Sequence, residues 1–215
     1  MALHFPEQKA TFIHIPKTAG SSFEQWAVEN FKDVVVIRDG NRHAKMSYLD
    51  SQFNLGYTFT FVRNPFSRLV SIFNFVGQRA QLRQYRRSKG KRVKKMTNAE
   101  IDQSIVDQYN QGFEQYVIGL QDQNLTEQPY EQGRKWYLRI TPMCQWLDMH
   151  CDKIIKIEDI NTEFDHIKKF LGCNQNLPFI NSSRHGHYKE YYTSETRNIV
   201  EKIFSEDLEA FGYDF

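Results

Sequence analysis

The chain has 215 residues, 40% of them hydrophobic and 14% aromatic, so it can bury a continuous core and is not generally disordered. Its formal net charge is only +2, so the overall charge does not indicate what the protein binds. Three cysteines argue against a disulfide framework, and neither a signal peptide nor the roughly 20 apolar residues of a membrane helix can be found. We therefore expect a soluble cytoplasmic protein.

Four short runs rich in β-branched and aromatic residues predict strands at 11–15, 33–37, 57–63 and 153–157. Apolar residues at helical spacing predict helices at 22–31, 65–76, 99–109, 163–171 and 194–211. Strands that alternate with helices favour an α/β fold, with a central parallel sheet of about four to five strands flanked by helices. No repeat or linker divides the sequence, so we expect one domain over residues 1–215.

The segment at 79–95 is strongly basic. It holds nine cations and no acid, so the rest of the chain is formally −7. The cations are Arg79, Arg83, Arg86, Arg87, Lys89, Lys91, Arg92, Lys94 and Lys95. We expect a basic, partly irregular insertion at about 78–110, either an electrostatic platform for an anionic glycan or a solvated insertion. Nucleic-acid binding is disfavoured because Tyr85 is the one aromatic residue of the basic segment.

The first candidate site is the sequence PKTAGSS at 16–22, between a predicted strand and a predicted helix. Small residues in such a loop let several backbone N–H groups face an anion, which the helix dipole also favours. The N–H donors would be those of Thr18, Ala19, Gly20, Ser21 and Ser22. Lys17 adds a mobile cation, but it precedes the glycine, so the GxxxxGK[ST] signature of nucleoside triphosphatases is not met. A simple tight turn with Ser22 as the N-cap is the alternative.

The second candidate site begins where the predicted strand at 57–63 ends. Arg63 lies at the carboxyl edge of this strand, where open parallel sheets bind ligands. Pro65 suits the first turn of a helix, which has no N–H group to lose there. Ser71 follows about two turns into that helix. Taken singly, Arg63 could form a surface ion pair and Ser71 could be a solvated helix position.

Together these motifs, IHIPKTAGSSF and FVRNPFSRLVSIF, resemble those of the sulfotransferases, most closely the carbohydrate branch that includes the heparan 2-O and chondroitin 4-O enzymes. The resemblance extends to IIKIEDI and to the C-terminal segment from LPFINSS onward. It implies a P-loop-like three-layer domain. It also implies transfer of a sulfuryl group from 3′-phosphoadenosine 5′-phosphosulfate (PAPS) to a hydroxyl, expected on a glycan or saccharide, with 3′-phosphoadenosine 5′-phosphate (PAP) as product.

The resemblance also implies roles for individual residues. In the family the first loop binds the 5′-phosphosulfate and its lysine stabilises the leaving phosphate, which matches Lys17. The arginine and serine of the second motif bind the 3′-phosphate, which matches Arg63 and Ser71. No metal is expected, since the seven histidines form no zinc-spaced cluster with cysteines.

In similar members of the family, a histidine in the segment that corresponds to GNRHAKMSYLD acts as general base on the acceptor hydroxyl. This histidine matches His43. His185 and His187, in a late polar loop, are the competitors for this role. A basic residue of the same late loop closes over the 3′-phosphate in the family, which matches Arg184 loosely, with Lys189 as the alternative.

Two other functions stay open at this point. A small kinase or nucleoside triphosphatase on the same kind of α/β scaffold would show magnesium-dependent ATP turnover. A non-catalytic nucleotide- or glycan-binding module would bind donor or glycan without transfer.

Overall fold

A computed structural model of the chain describes residues 1–37, 45–91, 93, 99–121, 140–178 and 186–215. Five strands form one sheet: β1 (Ala2–Phe5), β2 (Ala10–Ile13), β3 (Val35–Ile37), β4 (Tyr57–Val62) and β5 (Lys153–Lys156). Their order across the sheet is β3-β1-β2-β4-β5. Strands β2, β4 and β5 are parallel neighbours, whereas β1 runs antiparallel to both β2 and β3.

Eight α-helices occur in the described ranges. They are α1 (Gly20–Asn30), α2 (Met46–Gln52), α3 (Pro65–Ser88), α4 (Ala99–Asn110), α5 (Phe113–Ile118), α6 (Ile160–Leu171), α7 (Ser194–Ile203) and α8 (Ser205–Phe211). The predicted helix at 194–211 is thus two helices, interrupted at Phe204, whose backbone leaves helical geometry. Helices α2 and α5 were not predicted, because each has at most seven residues and shows little periodicity.

The expected α/β fold, with a sheet of four to five strands flanked by helices and a parallel centre, is confirmed, but β1 makes the sheet mixed. A four-residue turn at 6–9 joins β1 to β2, and such a short connection only permits an antiparallel pair. Lys9 in that turn has a positive φ of 50° and donates its N–H to the Pro6 carbonyl at 3.2 Å. β1 was not among the strands predicted from the sequence.

The two faces of the sheet are covered by different helices. Phe59 and Phe61 of β4 point to one face, where they pack with α1 and α6 through Phe23 and Phe164 in an aromatic core. On the other face Ile13 packs with α2 and its neighbours. Successive strand residues point to opposite faces, and both faces are covered, so β4 is buried along almost its whole length. This gives the three layers expected for the fold.

A second apolar cluster holds α3 against α5 and α7 at the side of the sheet. Helix α3 is twice as long as predicted and continues to Ser88, so the first part of the basic segment is helical. Two of its cations are structural, because Arg83 and Arg87 both form ion pairs with Asp102 of α4, whose side chain is fully buried. Arg83 Nη2 lies 2.7 Å from Asp102 Oδ1. The α3–α4 pair is therefore built around one buried carboxylate.

We predict that Asp102→Ala lowers the free energy of unfolding by about 2–4 kcal/mol, because it leaves two half-buried guanidinium groups without their carboxylate. Urea denaturation followed by circular dichroism measures this. Asp107→Ala on the same helix is the matched control: Asp107 is exposed, and its loss is expected to change the free energy by less than about 0.5 kcal/mol. Equal stability of the two variants would contradict the structural role of Asp102.

Candidate active site

The loop at 14–19, between β2 and α1, has an unusual backbone. Lys17 and Ala19 have positive φ values of 70° and 63°, in the left-handed region that residues with a side chain rarely adopt. Each such residue costs of order 1–3 kcal/mol, and strain of this kind concentrates at ligand sites. Left-handed residues within a short loop also turn backbone N–H groups towards a common concavity, as in anion-binding nests.

Helix α1 begins without a side-chain cap. Its N-cap is Ala19, no side chain caps it, and its first turn has no acidic residue. The alternative interpretation of Ser22 as N-cap is therefore wrong; Ser22 is buried inside the helix. Helices α3 and α7 differ, since Asn64 and Thr193 cap them. The first turn of α1 therefore has no side-chain acceptor and no carboxylate to offset the positive end of its dipole, which favours a bound anion.

The shape of the loop is fixed by contacts on its inner side. Thr18 Oγ1, fully buried, donates to the Ile15 carbonyl at 2.9 Å. Gly20 lies directly against the imidazole of His14, and a Cβ at Gly20 would stand only 2.0 Å from a ring carbon. Glycine is required here because of this close approach rather than because of its φ. His14 is buried in the same region and stacks against Phe12.

The second motif is held at the carboxyl end of β4. Asn64 caps α3, as its Oδ1 accepts the N–H groups of Phe66 and Ser67 at 2.9 and 3.4 Å, and Pro65 occupies the first helical turn as expected. The Asn64 N–H donates to Glu158 Oε1 at 2.8 Å. Since Glu158 lies just after β5, this bond ties the beginning of α3 to the neighbouring strand.

The side chain of Arg63 is oriented by Ser67 of α3, the helix that follows it. Its Nε and Nη2 donate to Ser67 Oγ at 3.0 and 2.8 Å. Burial lowers the pKa of Arg63, and the negative charge of Glu158 opposes this effect. Ser71 lies one turn beyond Ser67 on α3 and is buried. Arg63 therefore lies just before α3, and Ser71 lies in the second turn of that helix.

Both motifs leave the sheet at the same edge. β2 and β4 are adjacent and parallel, with Ile13 opposite Thr60, and Thr60 Oγ1 donates to the Ile13 carbonyl at 2.7 Å. The contact continues in the side chains, because Lys17 Nζ lies 3.9 Å from the ring centroid of Phe75 on α3. Phe75 is one helical turn after Ser71, about 6 Å along the helix axis. The structure thus brings Lys17 to the helix that carries Ser71.

Arg68 is the residue of this region that the sequence did not reveal. Its side chain is almost fully buried, and it donates from Nε to the Pro16 carbonyl and from Nη1 to the Thr141 carbonyl, both at 3.0 Å. Burial lowers its pKa to about 10, an effect that the buried carboxylate of Asp207 opposes, so the guanidinium stays charged at neutral pH. Arg68 therefore connects the first loop to α3 directly.

The remaining predicted site residues fall into two groups. His43, Arg184 and His185 lie outside the described residues. His187 and Lys189 are described: the His187 side chain accepts the N–H of Lys189 at 3.4 Å, and Lys189 Nζ donates to the Phe215 carbonyl at 3.0 Å. The Lys189 ammonium is thus directed at the C-terminal segment in this structure.

The fold is an α/β sheet flanked by helices, and the loop after its second strand joins two left-handed residues to an uncapped helix start. The sequence profile of the sulfotransferase family matches residues 2–214, so the chain belongs to the sulfotransferase family. This membership supports sulfuryl transfer as its reaction and a hydroxyl-bearing acceptor. No curated protein and no solved structure matches the chain.

Two further features concern ligands and membranes. In the part of the chain that the structure describes, no three histidine, cysteine or acidic side chains are grouped as a metal ion would require. None of the described helices combines the length and apolar character needed to cross a bilayer.

We predict that Arg68→Met lowers the free energy of unfolding by about 2–4 kcal/mol, because two inner carbonyl groups lose their charged donor while the volume is largely kept. Urea denaturation measures the change. Arg197→Met is the matched control, since Arg197 is an exposed residue that pairs with Glu201 of its own helix and its loss should change the free energy by less than about 0.5 kcal/mol. Wild-type stability in Arg68→Met would show that this guanidinium does not hold the loop.

Proposed function

We propose that the protein transfers the sulfuryl group of PAPS to a hydroxyl of a carbohydrate. The observation that carries this proposal is the shared edge of β2 and β4, from which two cationic motifs emerge, joined by Arg68. An adenosine nucleotide with phosphate groups at both ends of its ribose needs two such anion sites at a fixed separation. Family membership supplies the class of reaction, and the local geometry supports the nature of the donor.

The first loop is suited to the 5′-phosphosulfate. Its left-handed residues and the uncapped start of α1 offer backbone N–H groups, and no side chain has to move to supply them. We assign these donors to four of the residues that the sequence singled out, namely Thr18, Ala19, Gly20 and Ser21. The Ser22 N–H instead donates to the Ala19 carbonyl at 2.9 Å. Fixed dipoles of this kind stabilise charge without reorganisation during the reaction.

The second motif is suited to the 3′-phosphate. Ser67 orients the guanidinium of Arg63 through two of its five N–H donors, and a guanidinium fork matches phosphate geometry. Ser71 would add a hydroxyl donor from the next turn of α3. Arg184 would contribute a second cationic contact, as the resemblance to the family implies.

The chemistry would be an in-line displacement at sulfur. The acceptor oxygen forms a bond to sulfur while the bond from sulfur to the bridging oxygen breaks, and the bond electrons go to the phosphate of PAP. His43 would take the proton of the acceptor hydroxyl, and the Lys17 ammonium would stabilise the charge that develops on the leaving phosphate.

Not every cation of the basic segment at 79–95 is available to bind the acceptor. Arg83 and Arg87 belong to the ion pairs with Asp102. Arg79 is exposed and lies over the ring of Phe75, which Lys17 also contacts. We therefore assign recognition of an anionic group on the glycan to Arg79 rather than to the whole segment.

We predict that Arg63→Ala binds PAP at least about tenfold more weakly than the wild type, because a charge-assisted contact to the 3′-phosphate is lost. Isothermal titration calorimetry with PAP and with adenosine 5′-phosphate measures this. The wild type should prefer PAP, and the variant should keep only a smaller preference, because Ser71 and Arg184 would still contact the 3′-phosphate. Arg197→Ala, the matched exposed arginine, should bind as the wild type does. Equal and tight PAP binding by Arg63→Ala would remove the proposed contact.

We predict that His43→Ala separates binding from chemistry, whereas Lys17→Ala affects both. His43→Ala should bind PAP within about threefold of the wild type, while its kcat falls by about 10²–10⁴-fold through loss of the general base. Lys17→Ala should bind PAP more weakly and also lose kcat, because its ammonium contacts the leaving phosphate. Transfer of labelled sulfate from PAPS to a panel of glycans measures kcat. His150→Ala is the control, because the His150 side chain is largely exposed. Full activity of His43→Ala would refute the base assignment.

A further inference from the structure

The ring of Phe75 is contacted by two cations. Lys17 Nζ lies 3.9 Å from the ring centroid and reaches it from the loop after β2. The guanidinium carbon of Arg79 lies 4.5 Å from the same centroid and reaches it from the next turn of α3. This half-buried ring therefore links the two motifs through side chains, in addition to the link made by Arg68.

Phe75 does not serve the packing of α3 in the way that its neighbours do. Among the described residues, the apolar cluster of α3 with α5 and α7 contains Ile72 and Phe73 but not Phe75. With a rotation of about 100° per residue, Phe75 shares a face of the helix with Ser71 and Arg79. This face is the one that meets Lys17, so the ring is part of the candidate site rather than of the core.

An aromatic face attracts an ammonium group electrostatically. The ring is uncharged, so it can restrain the position of a cation without neutralising the cation. This matters for a lysine, whose four-carbon stem is flexible and loses much rotamer freedom when its ammonium is fixed. A lysine that is already confined near its target requires less ordering in the transition state.

We propose that Phe75 is a positioning residue for Lys17, and that it holds the ammonium between the first loop and α3, where the leaving phosphate develops its charge. The inference rests on the proposed function, in which Lys17 acts on that phosphate. Phe75 itself touches no reacting atom. Weakening the ring's attraction for the ammonium should therefore reduce the rate of transfer and leave nucleotide binding nearly unchanged.

The sharpest experiment replaces Phe75 with phenylalanines that carry one, two or three ring fluorines. These residues keep the shape of the ring but withdraw its electron density stepwise, which weakens attraction for a cation. We expect kcat to fall progressively, to about two- to fivefold below the wild type with three fluorines, while the Kd for PAP stays within twofold. A merely structural role of Phe75 would give no such gradient. Because kcat is measured at saturating acceptor, a weaker contact of the ring with Arg79 would appear in the KM for the acceptor instead.

The same series at Phe170 is the matched control. Phe170 is a partly exposed ring on α6 that packs on Tyr57, the first residue of β4, with ring centroids 4.7 Å apart. Phe170 thus lies near the beginning of β4, whereas Arg63 follows the end of this strand. Fluorination of Phe170 should leave kcat unchanged.

A second measurement does not depend on catalysis. Protons on the Lys17 ε-carbon should resonate upfield of other lysines because they lie over the Phe75 ring, and the signal is assigned by its loss in Lys17→Arg. The shift should disappear in Phe75→Leu and persist in Phe75→Tyr. Phe75→Tyr should also retain kcat, whereas Phe75→Leu should not.

The outcomes separate this inference from the function on which it rests. A flat fluorine series in an enzyme that transfers sulfate and is inactivated by Lys17→Ala would overturn the role of Phe75 alone. A wild-type Lys17 signal without the upfield shift would also overturn it. A wild-type protein that neither binds PAP nor transfers sulfate from PAPS would contradict the proposed function, and the inference with it.

Discussion

A single buried guanidinium, that of Arg68, organises the candidate active site. It belongs to α3 but donates to the carbonyl of Pro16 in the loop after β2, so it fixes two segments that are 52 residues apart in the chain. It also donates to the carbonyl of Thr141, which brings a third segment to the same point. A buried charge is tolerated only where it is hydrogen-bonded and compensated, and the carboxylate of Asp207 supplies compensation. The relative position of the two anion-binding motifs therefore depends on an interaction that lies beneath both of them.

The loop held by Arg68 keeps a backbone that is unfavourable on its own. Left-handed conformations at Lys17 and Ala19 destabilise the folded state, and the surrounding contacts of Thr18, Gly20 and Arg68 offset that cost. Helix α1 likewise begins without a side-chain cap, as α2, α5, α6 and α8 also do. In this loop the uncapped helix start coincides with two left-handed residues, and a bound anion would satisfy both the N–H groups and the helix dipole.

The sequence predicted the parts of this arrangement that follow from local patterns. The strand–loop–helix at 10–30, the proline at the start of α3 and the position of Arg63 at a strand end all follow from residue type and spacing. The antiparallel β1 and the doubled length of α3 were missed, because they depend on pairing and on packing against α4 rather than on apolar periodicity. Arg63 and Arg68 both belong to the motif FVRNPFSRLVSIF. Only the tertiary structure shows that Arg63 is half-buried whereas Arg68 is buried. The partnership of Lys17 with Phe75 joins segments 58 residues apart, so no local pattern could show it.

A crystal structure of the complex with PAP tests most directly whether the two proposed anion sites bind opposite ends of one nucleotide. We expect the 5′-phosphate within hydrogen-bond distance of backbone N–H groups of the first loop, and the 3′-phosphate in contact with Arg63 and Ser71. A PAP molecule whose 3′-phosphate points away from α3, or whose 5′-phosphate lies outside the loop after β2, would contradict the account.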